Sequence, residues 1–189
     1  MKKSIMIIAL ALVSLSVYAQ HENHDMQKKD NNQEIATYET DTKFQDQLAA
    51  LYESSLALTE AFVSSDPAVV TKKAEIVELA LKKIDMTLLK GKAHMDWMKY
   101  RKEIMSSIAI FKSEEKITDQ RIAYADFSNS LYRSVKAFGM NGKEAYYQHC
   151  PMALNNTGAY WLSDKAEIRN PYFGNAMMKC GSTKEKIHD

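Results

Sequence analysis

Residues 66–91, DPAVVTKKAEIVELALKKIDMTLLKG, set apolar side chains at Val70, Ala74, Val77, Leu81, Ile84 and Leu88. Unbroken steps of four and three are the stripe of a helix that packs nearly parallel to its neighbours in a bundle. Asp66-Pro67 in front supplies an N-cap followed by proline at the first helical position, and Gly91 behind Lys90 reads as the stop. The same rhythm extends to both sides. Phe44, Leu48, Leu51, Ser55, Leu58 and Phe62 precede it; Trp97, Arg101, Ile104, Ile108 and Phe111, with Tyr100 beside them, follow it; and Tyr124, Phe127, Leu131, Val135 and Phe138 run up to Gly139. Four such helices joined by short loops predict a mainly α chain whose residues 41–138 form an up-down four-helix bundle.

The chain has 189 residues, 46% of them hydrophobic, with six Gly and three Pro, a composition that suits one globular domain. Met1-Lys2-Lys3, the apolar run Ile5 to Leu15 and the small-residue site Val17-Tyr18-Ala19 read as a secretory signal peptide over 1–19, too short in its apolar core to span a bilayer. Residues 20–40 are polar, with Ile35 as the single aliphatic side chain, and read as a flexible leader. The 25 basic residues balance 24 acidic ones, and loss of Lys2 and Lys3 with the signal leaves a net charge of about −1. Such a balance excludes nucleic acid as a partner, because that affinity needs clustered positive charge. The chain is therefore placed in the periplasm or outside the cell, not spanning the membrane once the signal is removed.

Residues 139–189 break the helical rhythm and carry both cysteines, and they read as an irregular tail packed on the bundle within one domain over 41–189. Ala145 to Cys150 suits a short strand, Ala159 to Leu162 a second, and Asn175 to Lys179 one helical turn stopped by Gly181. The chemistry lies in the company of the cysteines: His149-Cys150-Pro151-Met152 at one end and Met177-Met178-Lys179-Cys180 at the other. Thiolate and thioether are soft donors that prefer Cu(I) to Mg2+ or Ca2+. A fold-back that joins Cys150 and Met152 to Cys180 with Met177 or Met178, and His149 as an extra ligand, makes a sulfur-rich metal site. The other reading is a Cys150–Cys180 disulfide, ordinary in an exported protein and worth ~3 kcal/mol on the chain-entropy account.

Four steps in this tail carry a resemblance: Cys150-Pro151-Met152, Gly158-Ala159-Tyr160-Trp161-Leu162, Glu167 to Gly174, and Met178-Lys179-Cys180-Gly181. Over Ala137 to Ile187, and in pattern over the helices, the chain resembles a bacterial domain family of unassigned function, found in exported proteins and fused to the periplasmic adaptor subunits of copper/silver-type heavy-metal efflux systems. The resemblance implies heavy-metal handling, with an efflux adaptor or another envelope protein as partner. The Cys-Pro-Met step also looks like the metal motif of such adaptors, although His-Pro follows there and Ala153-Leu154 follows here.

Glu167, Arg169 and Asn170, between Trp161 and Tyr172, read as a buried polar clamp, a turn held by a Glu-Arg pair, in preference to a ligand-binding surface, and Trp161 as the aromatic plug that seats the tail on the bundle. His94, Met95 and Met98 read as core or surface filling, and His21 and His24 as ordinary polar residues of the leader, with weak capture of Cu(II) or Zn2+ as the lesser reading. No Gly-x-Ser-x-Gly, phosphate loop or His-Glu-x-x-His occurs, so no catalysis is expected. The expected function is a periplasmic copper-binding protein of metal efflux or homeostasis. The alternative is an envelope interaction module locked by the disulfide.

Overall fold

The computed structural model describes residues 34–188; the expected signal peptide and the leader up to residue 33, with His21 and His24, lie outside the described residues. Four long helices follow one another: α1 (Thr42–Ser64), α2 (Pro67–Lys82), α3 (Gly91–Ser113) and α4 (Ile117–Phe138). Each packs on the next, and α4 returns to α1, which is the up-down bundle. The apolar stripes are the core: Phe44, Leu48, Leu51, Leu58, Phe62, Val70, Ala74, Val77, Leu81, Trp97, Ile104, Phe111, Tyr124, Phe127, Leu131, Val135 and Phe138 are all buried. Asp66 caps α2 as expected, its Oδ1 accepting from the backbone N–H groups of Ala68 and Val69 at 2.9 and 3.1 Å.

Two boundaries differ from the sequence reading. The second helix ends at Lys82, and Leu88 sits on a separate 3-10 turn, Met86–Leu88. Asp85 accounts for the break, because its carboxylate takes the backbone N–H and the hydroxyl of Thr87, at 3.1 and 2.6 Å, and so offers the chain an alternative to helical bonding. Gly91 is accordingly the first residue of α3 and not the stop of α2. The residues just before α1 are also less free than expected of a leader. Tyr38 stacks on Phe138 with ring centroids 5.4 Å apart and donates its backbone N–H to the Ala137 carbonyl, while Thr40, joined by Gln45 from the first turn of α1, donates to the Phe138 carbonyl, at 2.8 and 3.0 Å respectively. These contacts satisfy carbonyls that the end of α4 leaves open.

Beyond α4 the tail forms an antiparallel sheet in the order β2-β1-β3, with β1 (Ala145–Cys150) central between β2 (Ala159–Ser163) and β3 (Ser182–Ile187). The first two strands match the expectation. The third was not foreseen, since SerThrLysGluLysIle reads as a charged surface segment; it is an edge strand whose lysines discourage further pairing. The expected helical turn over Asn175 to Lys179 is a shorter 3-10 turn, Gly174–Ala176, followed by a turn in which the Cys180 N–H reaches the Met177 carbonyl at 3.1 Å. An aromatic stack fastens the sheet to the bundle: Tyr132 of α4 lies on Tyr147 at 3.7 Å, Tyr147 on Tyr160 at 4.7 Å, and His149 against Tyr160 at 4.2 Å. Among the described residues no helix is long and apolar enough to cross a membrane.

Phe138 meets the rings of Tyr38, Phe44, Trp97 and Tyr100 at the end of the bundle where the tail begins. Phe138→Ala should therefore cost ~3–5 kcal/mol of stability in urea titration, the range for truncating a buried aromatic side chain.

Candidate functional site

The site pairs one buried thiol with one that is partly exposed. Cys150 is the last residue of the central strand and is fully buried. Cys180 is partly exposed on the turn that leads into β3, and its sulfur lies 3.0 Å from that of Cys150. No disulfide bond joins them in this structure. The contact itself, and then burial, push the Cys180 thiol above its ordinary range, because a hydrogen bond between the two groups favours the protonated form.

Asn170 and Gly181 account for the juxtaposition. Asn170 is fully buried and uses both ends of its side chain and both of its backbone groups. Its Nδ2 donates to the Cys180 carbonyl at 2.8 Å, its backbone N–H to the Met178 carbonyl at 2.9 Å, and its Oδ1 accepts from the N–H groups of Tyr172 and Phe173 at 2.8 and 3.2 Å. Its carbonyl takes the Gly174 N–H at 3.0 Å, closing the Asn-Pro-Tyr-Phe-Gly turn on itself. Gly181, at φ +140°, then passes so close to β1 that an added Cβ would stand 2.8 Å from the His149 carbonyl oxygen and 3.0 Å from the Trp161 ring. A side chain there would drive Cys180 away from Cys150.

Gln148, a fully buried residue of β1 that the sequence reading passed over, holds the other end of the loop. Its Nε2 donates to the carbonyls of Lys165 and Ala166 at 2.9 and 3.3 Å. A lone glutamine in a strand gives no periodic or motif signal, so only its burial reveals it.

The remaining expected residues fall into place as follows. Trp161 is fully buried and meets Tyr172 edge-on at 6.1 Å; Tyr172 in turn packs on Tyr124 of α4 and donates its hydroxyl to the Tyr160 carbonyl at 2.7 Å, so the two rings seat the tail on the bundle. Arg169 does not pair with Glu167. It forms a two-pronged pair with Glu60 of α1, Nε to Oε1 at 2.9 Å and a terminal nitrogen to Oε2 at 2.8 Å, while Glu167 is exposed. His149 precedes Cys150 in the strand and so projects to the opposite face. There it packs on Tyr160, with Gly158 pressed against its Nε2, and burial first, then Lys184, hold its pKa down.

Met152 is 45% exposed, and Met177 and Met178 are half-buried. His94 approaches the Met86 carbonyl through Nδ1 at 3.2 Å, and Met95 and Met98 are exposed, so that trio does not look into the bundle. Among the described residues no three His, Cys, Asp or Glu side chains gather as a metal-holding group.

The dithiol can bind a soft ion only by opening. Metal–thiolate bonds of about 2.3 Å set two sulfurs on one ion roughly 3.8–4.6 Å apart, from tetrahedral to linear. Cys150 is anchored in the sheet, so the opening falls to Cys180. Additional donors must come from thioethers, since the imidazole of His149 is on the wrong side of the strand.

Comparison with known proteins adds one match. Residues 51–143 match the model of a family described as a protein of unknown function (DUF3347). The match covers the bundle from within α1 to the loop before β1, whereas the resemblance read from the motifs lies on Ala137 to Ile187, so the two overlap only over 137–143. The family has no assigned function, and the association with efflux systems rests on the resemblance alone. Neither the curated proteins nor the solved structures yield a match.

Asn170→Ala strips the Cys180 carbonyl and the Tyr172 and Phe173 N–H groups of their partners, each worth about 1–3 kcal/mol when left buried and unpaired. Hydrogen exchange should show the loop over 164–181 opening while the helical amides keep their protection.

Proposed function

We propose that the protein holds a soft, thiophilic metal ion, Cu(I) in the first place, on Cys150 and Cys180 in the periplasm or outside the cell, as a non-enzymatic component of metal efflux or homeostasis. The observation that supports this most directly is the meeting of the two thiols from the ends of a 30-residue excursion, on a loop that also carries Met177 and Met178, with Met152 exposed two residues beyond Cys150 in the chain. Met152 and one of Met177 or Met178 complete the donor set in this reading, and His149 is left out of it. A heavy-metal efflux adaptor, or another envelope protein, is the partner that the tail motifs suggest.

The 3.0 Å contact favours a second reading, in which the pair serves as a disulfide that locks the tail of an interaction module. Competition of the reduced full-length protein against a colorimetric Cu(I) chelator separates the two. In the metal reading Cys150→Ser abolishes uptake, and Met152→Leu weakens it about tenfold, equivalent to roughly 1.4 kcal/mol, with an unchanged melting temperature. In the disulfide reading reduced protein takes up no Cu(I), Met152→Leu is silent, and Cys150→Ser lowers the stability of the oxidised protein by ~2–4 kcal/mol.

A further inference from the structure

We propose that Cys150 and Cys180 form a reversible dithiol–disulfide couple that is entered through Cys180 alone, exchanging electrons with an external disulfide. The first ground is asymmetry. Cys150 is fully buried at the end of the central strand, so of the two residues only the partly exposed Cys180 faces an outside molecule. The second is contact: with the sulfurs 3.0 Å apart, the resolving thiol is already behind the entry thiol and no loop has to travel.

The third ground is that the loop does not need a covalent link. Asn170 pins it next to Cys180, Gln148 pins it near residue 165, Tyr172 ties it to β2, and Arg169 ties it to Glu60 of α1. A staple that exists only to hold a loop would be redundant here, and a pair whose entry sulfur is reachable belongs with the labile, exchangeable disulfides.

The exchange balances with a disulfide R–S–S–R as oxidant, a small-molecule disulfide or that of an oxidoreductase. The Cys180 thiolate attacks one sulfur of R–S–S–R, forming Cys180–S–S–R and releasing RS−, which takes up the proton lost by Cys180. The Cys150 thiolate then attacks the Cys180 sulfur, closing Cys150–Cys180 and releasing a second RS−, protonated at the expense of Cys150. Two thiols are oxidised by two electrons and one external disulfide is reduced to two thiols. Combined with the metal reading above, on which this one point rests, closure of the disulfide removes both thiolates from the ion and makes metal holding conditional on reduction.

The test uses oxidised glutathione and the full-length reduced protein, followed by mass spectrometry under acid quench. Wild type should end with an intramolecular disulfide and no bound glutathione, dithiothreitol should reverse it, and the circular dichroism spectrum should be the same in both states. Cys150→Ala should accumulate glutathione on Cys180, and Cys180→Ala should accumulate none on Cys150. Capture on Cys150 in the second variant as fast as on Cys180 in the first would overturn entry through Cys180. Wild type that retains either two thiols or a mixed disulfide would overturn the couple.

Brief native alkylation of reduced wild type guards against variants that misfold: Cys180 should be labelled roughly tenfold faster than Cys150, and equal rates again sink the proposal. Reduced protein that shows the glutathione pattern but takes up no Cu(I) from the chelator would remove the soft-metal function and leave the couple standing.

Discussion

A side-chain amide closed off from water has to find every partner within the protein, and the tail of this chain is organised around one that does. Asn170 binds forward to its own turn and across to the segment ending at Cys180, so a single buried residue fixes both the shape of the loop and the place where it returns to the sheet. Everything distinctive about the tail follows from that return. β3 can pair with β1 only because the chain comes back there, and Gly181 allows the last step because no side chain stands between the returning backbone and the His149 carbonyl. The thiol contact is the outcome of these two constraints.

The helices were legible because their signal is redundant. Each stripe repeats an apolar side chain four to six times, and Asp66-Pro67 marks a start that local hydrogen bonding imposes regardless of context. The misreading around Leu88 and Gly91 has a local cause, since an aspartate two residues before a threonine competes for the backbone that a helix would need. The strands of the tail were half legible: β1 and β2 carry aromatic and aliphatic residues, whereas β3 is stabilised by pairing along one edge and by Tyr132 and Lys136 reaching Glu185, at 2.7 Å each. Nothing in SerThrLysGluLysIle announces those partners.

The candidate site divides in the same way. That Cys150 and Cys180 belong together was readable from the motifs around them, and so was the structural role of Asn170. That His149 turns away from Cys150 follows from the strand expected over Ala145 to Cys150, whose alternation sends His149 to the aromatic stack and Cys150 to the loop. The partner of Arg169 is 109 positions away on α1, a separation at which spacing conveys nothing. Gln148 and Gln120 belong to the same class. Gln120 spans the carbonyls of Phe111 and Glu114 at 2.9 Å each and so joins the end of α3 to α4, a tie that only burial makes visible.

The position of β3 also sets an order of events during folding. The bundle consists of neighbours in sequence, with loops short enough to close on the microsecond scale. β1 finds β2 after a short turn, but its other edge stays open until the 30-residue excursion has closed and Asn170 has found its partners. The last strand to dock is thus the one that covers the central strand's open edge, and for that interval the nascent protein exposes a pairing edge with a free thiol at its end. In any oxidising medium such a species would have two competing fates, closure on itself or capture by a neighbouring chain, and the speed with which the Asn170 turn forms would decide between them.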